Sequence, residues 1–214
     1  MRQLVPLFLF SLAALPCQAQ FGVQVGGALT GVSLSQNGEN VDRDSKFHYN
    51  VGVHYRFLKV GGLKKLDVQP TLQYFVKGGS DRFSPNLSVS EVVTSLRYVE
   101  LSVPLIVRFS LAEAYNCSFN VGAGPYTALL VSTNAYAVPL SKGSGNVPVD
   151  FKTGFSSTDD IKPLDMGLTS YASIKIDNFS FALSYDVGLL NVSPKPAEKA
   201  YNRSFNILFC YLFR

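Results

Sequence analysis

The sequence predicts an all-β protein: a closed, eight-stranded, antiparallel up-and-down transmembrane β-barrel. Three observations predict it. Eight segments alternate large apolar residues with small or polar ones at period two, the pattern of strands with two unlike faces. The apolar face is almost purely aliphatic and aromatic through the middle of each segment, while the other face carries Gly, Gln, Asn, His and Ser with few charges. The connections between segments alternate long and short without exception, as they do in membrane barrels that have tight turns on one side and loops on the other.

The segments follow in order. In the first, Phe21, Val23, Val25 and Leu29 oppose Gln24, Gly26 and Thr30. The second has the clearest pattern: Phe47, Tyr49, Val51, Val53, Tyr55 and Phe57 against His48, Asn50, Gly52, His54 and Arg56. The third sets Leu66, Val68, Pro70, Leu72 and Tyr74 against Asp67, Gln69, Thr71 and Gln73. The fourth sets Val99, Leu101, Val103, Leu105 and Val107 against Tyr98, Glu100, Ser102, Pro104 and Arg108. The fifth is centred on Phe119, Val121 and Ala123, and the sixth on Met166, Leu168, Ala172 and Ile174. In the seventh, Phe179, Phe181, Leu183, Tyr185 and Val187 oppose Ser180, Ala182, Ser184, Asp186 and Gly188. The eighth carries Phe205, Ile207, Phe209, Tyr211 and Phe213 on alternate residues. The long connections are expected at about 34–46, 77–95, 132–163 and 190–203, and the short ones at 58–65, 111–116 and the turn Asp177-Asn178. Asp and Asn suit a two-residue turn because both tolerate positive φ.

Residues 1–19 read as a secretory leader and 20–214 as the barrel domain. Arg2 precedes the apolar run LVPLFLFSLAALP, and Cys17 and Ala19 are the small residues of a cleavage site. A lipoprotein anchored at Cys17 is the competing reading, although Ala14-Leu15-Pro16 matches the usual box before such a cysteine poorly. No later segment has the roughly 20 apolar residues a spanning helix needs. The net charge of +4 is small and dispersed, which argues against a nucleic-acid partner. Cys117 and Cys210 fall on opposite parities of strands not expected to be neighbours, so two free thiols are expected.

Period two alone also fits a soluble lipocalin-like barrel around a ligand. There the outward face would be rich in Lys and Glu; here it is apolar, with Arg97, Thr127, Cys117 and Ser170 as its few exceptions. The apolar face is therefore expected to meet lipid, with Tyr49, Tyr55, Phe57, Tyr74, Phe119, Phe179, Tyr185 and Phe213 as interfacial girdles. An eight-stranded lumen is filled by its own side chains. The expected lumen polar network is Arg56, Asp67, Glu100, Arg108, Lys175 and Asp186, with Asp165 also inward, and Arg56 is expected to pair with Asp67 across the first short turn. The plain reading of these charges is a polar plug; the alternative is a proton or ion path. His48 and His54 lie about 20 Å apart along one strand and cannot share a metal. No catalytic triad accompanies Ser170, the one outward serine placed deep in the band. No enzyme activity, metal or cofactor is expected. Among the rim cations Arg97, Lys46 and Arg203, some are placed to meet lipopolysaccharide phosphates, and the connection 132–163 is the best candidate for partner contact.

Three motifs resemble the small outer-membrane β-barrel proteins of Bacteroidota, the PorT-like or "porin family" barrels. Tyr98-Val99-Glu100-Leu101-Ser102-Val103-Pro104-Leu105 is similar to that family's Tyr-x-Glu-hydrophobic-Pro-Leu strand, with one extra residue before the proline. Gly122-Ala123-Gly124-Pro125-Tyr126 resembles its Gly-x-Gly-Pro-Tyr strand start, and Tyr185 to Asn191 its Tyr-x-x-Gly-Leu-x-Asn strand end. The resemblance implies a bacterial outer-membrane location, with termini periplasmic and long loops extracellular. The aromatic Phe213 near the terminus resembles the signal read by barrel-assembly machinery, displaced one residue by Arg214. Two function classes follow: a structural or interaction scaffold whose loops meet partners, and an accessory role in type IX-like secretion or small-solute transport.

Overall fold

A computed structural model describes residues 19–36, 39–41, 44–58, 65–82, 89–112, 117–139 and 146–213; residues 1–18 of the expected leader and Arg214 lie outside them. Twelve strands form one antiparallel sheet: β1 Ala19–Gln36, β2 Glu39–Val41, β3 Asp44–Phe57, β4 Leu66–Val68, β5 Thr71–Arg82, β6 Val89–Ser102, β7 Leu105–Ala112, β8 Cys117–Pro139, β9 Val147–Val149, β10 Leu164–Ile176, β11 Phe179–Gly188 and β12 Glu198–Leu212. They make eight staves, because prolines split two of them and the short β2 and β9 only add to β1 and β8. Pro70 separates β4 from β5, and Pro104 separates β6 from β7. A proline cannot donate to a ladder, but its carbonyl still accepts. Tyr55 N–H donates to Pro70 O at 3.0 Å, Gln69 N–H to Pro104 O at 3.1 Å and Val103 N–H to Pro125 O at 3.0 Å, so the seam stays stitched.

The ring closes. β1 pairs with β3 on one side and with β12 on the other, the latter from Gly22↔Leu212 to Gln36↔Glu198. The remaining neighbours run in chain order through β5, β6, β8, β10 and β11. The terminal strand rich in aromatics is therefore the partner of the first strand, as its stripe requires.

Burial is inverted relative to a water-soluble barrel. Val25 is 56% exposed, Phe47 72% and Phe209 51%, whereas Asn50, Asn120 and Asp165 are each 0%. Apolar side chains face outward through the whole band, and the polar set lines the inside. Around the terminal end, Phe21 stacks on Phe213 at 5.7 Å, Tyr211 meets Phe213 edge-on at 5.0 Å, and Phe179 lies against Tyr211 at 5.2 Å. These rings form the girdle at that end. Outward Gly27 lies beneath the ring of Phe47 from β3, which would meet any Cβ added there. Ser170, facing outward, donates its hydroxyl to the Tyr185 carbonyl at 3.2 Å, which satisfies it in hydrocarbon.

All four expected long connections are partly strand instead: β1, β2 and β3 take up much of 34–46, and β12 begins at Glu198. The segment 77–95 was expected to be a long loop, but β5 continues to Arg82 and β6 begins at Val89, paired in register from Thr71↔Ser102 to Arg82↔Glu91. β8 likewise runs on to Pro139, and β9 adds to its edge from Ala135↔Val149 to Ala137↔Val147. These stretches contain Gly78-Gly79 and Ser132-Thr133-Asn134, which read as loop residues. Cross-strand pairing overrides that local preference.

At this level β3 has an irregularity against β5 between Ser45 and Asn50. β5 there reaches past β3 to β1: Thr30 Oγ1 donates to Gly78 O at 3.0 Å and accepts from Gly78 N–H at 3.1 Å. Gly78 has φ of 157°, and a Cβ on it would meet the Thr94 carbonyl. Gly78→Ala is expected to destabilise the barrel by about 1–3 kcal/mol. The check is the temperature at which the folded, fast-migrating gel band converts to the unfolded one, which should fall.

Candidate functional site

Among the described residues the buried polar and charged side chains concentrate in the lumen, where they fall into two layers and a smaller third set. The six residues expected from the sequence do not form one network. Near the terminal end, Arg56 donates to Asp67 Oδ2 through Nε at 3.1 Å and through an η-nitrogen at 2.8 Å. The same guanidinium nitrogen reaches Asn120 Oδ1 at 2.8 Å, and Asn120 passes the chain on to Ser173 Oγ at 3.1 Å. Arg108 approaches the other oxygen of Asp67 at 3.7 Å. Lys175 donates to Gln20 at 3.3 Å at this end. The Arg56–Asp67 pair spans the first short turn, with both side chains buried.

Higher in the lumen the organising group is Lys77, which sequence reasoning missed. Its ammonium lies 2.8 Å from Glu100 Oε2 and 3.2 Å from Asp165 Oδ2. Three rings surround it: Tyr126 at 4.4 Å, Phe75 at 5.1 Å and Tyr98 at 5.4 Å from their centroids. Asp165 Oδ2 also accepts from Asn202 at 2.9 Å and from the Tyr126 hydroxyl at 3.2 Å. Inward Gly167 leaves the space into which the Tyr126 ring fits. Glu100 Oε1 accepts from Gln73, 2.7 Å, and Gln73 accepts from Gln24, 2.8 Å. Asp186 belongs to a third, smaller set: Asn206 donates to it at 2.9 Å and to Ser184 at 3.0 Å, and accepts from Asn50 at 3.2 Å.

A fully buried ammonium is costly to desolvate. Two carboxylates and three ring faces offset that cost, each ring contributing on the order of 1–2 kcal/mol when water is excluded. The signal that could have found Lys77 is parity. It continues the inward set of Asp67, Gln69, Thr71 and Gln73 at period two; only the glycines after it suggested that the strand had ended.

Above Lys77 the character changes from polar to apolar. Leu34, Leu96, Tyr98, Tyr126, Leu130, Ile161 and Val192 pack into one buried cluster, with Phe151 against it. Ile161 and Val192 come from the two long connections, so these fold back over the mouth. Asn191 fixes them there. Its Oδ1 accepts from Ser193 N–H at 3.1 Å and Ala200 N–H at 2.8 Å, its Nδ2 donates to Glu198 O at 3.1 Å, and its carbonyl accepts from Lys162 Nζ at 2.9 Å. The asparagine that ends the third motif is thus a loop staple. Of the rim cations, Lys46 is committed to Glu91 at 2.6 Å and Arg97 reaches Ser132 at 3.5 Å, while Arg203 is exposed.

His54 is buried in the lumen and His48 half-buried. Among the described residues, no group of three or more His, Cys, Asp or Glu is placed to hold a metal ion. Cys117 and Cys210 are both free thiols.

The closed ring, the apolar exterior and the polar interior are the features of an outer-membrane barrel, and the chain matches the family described as outer membrane protein beta-barrel domain over residues 16–193. The chain belongs to that family. It is an outer-membrane barrel of eight staves. Among solved structures it is similar to the outer membrane protein OprG from Pseudomonas aeruginosa, at 12% identity and a TM-score of 0.49, covering 92% of this chain and 97% of that one. It is similar also to Neisserial surface protein A at 12% identity and a TM-score of 0.46, over 91% of this chain and 99% of that one. The attachment invasion locus protein Ail of Yersinia pestis, solved with the heparin analogue sucrose octasulfate, is 13% identical with a TM-score of 0.37, over 90% and 99% of the two chains. No curated protein matches the sequence.

Lys77→Met is expected to destabilise this barrel by about 3–5 kcal/mol, because it strands Glu100 and Asp165 as uncompensated buried anions. Adding Glu100→Gln should recover part of that loss. Urea unfolding in detergent micelles, followed by tryptophan-free near-ultraviolet tyrosine signals or by band conversion, checks both.

Proposed function

We propose that this outer-membrane barrel is a non-enzymatic scaffold with a sealed lumen, and that its working surface is the set of long loops. The observation that carries this reading is the double closure: an ion-paired layer around Lys77 beneath an apolar cluster built partly from the loops themselves. A lumen closed this way suits a protein that displays loops better than one that passes solute.

In this reading residues 1–19 are a cleaved leader, both termini and the short turns are periplasmic, and the long loops are extracellular. Barrel-assembly machinery inserts the chain through its aromatic last strand. Outer-leaflet lipopolysaccharide is a partner at the rim, with exposed Arg203 the residue best placed to meet its phosphates. The loop at 152–161, held by Lys152 N–H to Asp160 and by Gly154 N–H to the Ile161 carbonyl at 2.9 Å each, offers Phe155 to solvent at 69% exposure and is the contact surface for a protein partner. The motif likeness to PorT-like barrels of Bacteroidota supports a second reading, in which that partner is a component of a type IX-like secretion machine.

The test is single-channel recording with purified protein in planar bilayers. The wild type is expected to show no sustained conductance. Asn191→Ala together with Ile161→Ser, which loosens the cap and leaves the Lys77 ion pairs to Glu100 and Asp165 in place, should still conduct little. A large, stable conductance from the wild type would overturn the sealed-scaffold reading and favour solute transport.

A further inference from the structure

Three lumen carboxylates have a cation at hand and the fourth does not. Asp67 lies 2.8 Å from Arg56, Glu100 2.8 Å from Lys77 and Asp165 3.2 Å from Lys77. Asp186 is 2% exposed and, among the described residues, has no cation within ion-pair distance. Its Oδ2 accepts from the neutral amide of Asn206 at 2.9 Å. The groups that face it are Lys77 on β5, Glu100 on β6, Thr169 on β10 and Asn206 on β12, and Tyr171 lines the same cavity. Two carboxylates, Glu100 and Asp165, are ion-paired with Lys77, and Asp186 is a third negative charge near it.

Asp186 and Glu100 line one cavity of about 20 Å³, room for a single water or a small ion. The rest of its wall combines neutral oxygens and amides, from Gln24, Thr71, Gln73, Thr169 and Ser184, with apolar carbon from Pro104, Tyr171 and Leu208. Glu100 is 1% exposed; its Oε2 is paired with Lys77 Nζ at 2.8 Å and has no further hydrogen-bond donor among the described residues. A carboxylate removed from water and left without a counter-charge either takes a proton or holds a cation. The cavity is the right size for either, and both candidate ligands carry the same single positive charge.

We propose that this cavity is a binding site for one small positive charge, a proton or a monovalent alkali cation, held between Asp186 and Glu100. The site neutralises part of the excess anion in the upper lumen layer and so helps fix the lumen that the Lys77 pairs alone leave unbalanced.

The test uses the full barrel in detergent micelles, wild type and Asp186→Asn, with Asp67→Asn as a contrast. Two readouts are taken at neutral pH: the infrared carbonyl band of a protonated carboxyl, and the band-conversion midpoint in sodium, potassium and choline chloride at one ionic strength. If the ligand is a proton, the wild type shows the band, Asp186→Asn loses it, and the midpoint ignores which cation is present. If the ligand is an alkali cation, the band is absent, the wild-type midpoint falls by several degrees in choline, and Asp186→Asn abolishes that fall. Under either, Asp186→Asn keeps a midpoint near the wild type's, whereas Asp67→Asn lowers it by uncovering Arg56. The proposal is overturned if the wild type shows neither band nor cation response. Both readouts come from the wild type, so the result stands even if the Asp186 variant fails to fold.

Discussion

Everything in this molecule depends on the pairing of backbone groups in a medium that offers no water. Inside hydrocarbon an unpaired N–H or C=O costs several kcal/mol, so the sheet has no permissible edge. The long β1–β12 ladder removes the edge, and the proline carbonyls at 70, 104 and 125 keep the ladder continuous where two staves break. Closure at eight staves then sets the lumen's width. A lumen that narrow has room for side chains and little else, and this is why the inside must be solved as a packing problem between polar groups.

The packing problem is solved twice, with different chemistry at different heights. Near the terminal end a guanidinium and a carboxylate form a two-point pair, extended by Asn120 and Ser173 into neutral hydrogen bonds. In the middle an ammonium sits among ring faces and two carboxylates. The planar fork suits a site with one carboxylate and a neutral amide; the compact ammonium suits a cage with partners in several directions. Glycine makes the second arrangement possible. Gly167 admits the Tyr126 ring, and Gly78 admits the close approach of the Thr94 carbonyl on β6 next to Lys77, so small residues in the wall make room for a large cage inside it.

The barrel itself was legible in the sequence because period two is a property of every stave, and one miscounted strand end leaves the parity of the others intact. The outward apolar stripe, the Asp177-Asn178 turn and the Arg56–Asp67 pair all follow from local pattern. Asp177 indeed has positive φ, at 50°. The upper parts of β5, β6 and β8 were not legible. Gly78, Gly79 and Ser80 are poor strand formers, and they lie in a strand because β6 pairs them and Thr30 bonds Gly78 from β1. Such contacts are long-range, and no window of sequence contains them. Lys77 disappeared from view for the same reason: the residue was inward by parity, but its strand seemed to have ended. The apolar cap was hidden more deeply, because Ile161 and Val192 lie in connections whose composition gives no period.

The two closures also differ in what could release them. The polar layers belong to the staves, so they move only if the wall moves, and the wall is held by the whole ladder. The apolar cap is built partly from loops joined to each other through Asn191 and Lys162, so its stability is separable from that of the barrel. A partner that binds the loops therefore acts first on the cap and not on the ion pairs beneath it. Opening the cap alone would expose Tyr98, Tyr126 and the Lys77 layer to water while leaving the lumen blocked by that layer. The geometry thus separates the cap at the loop end from integrity in the membrane. Loop sequence is free to vary around the Asn191 staple without putting at risk the closed ring that keeps the chain in the bilayer.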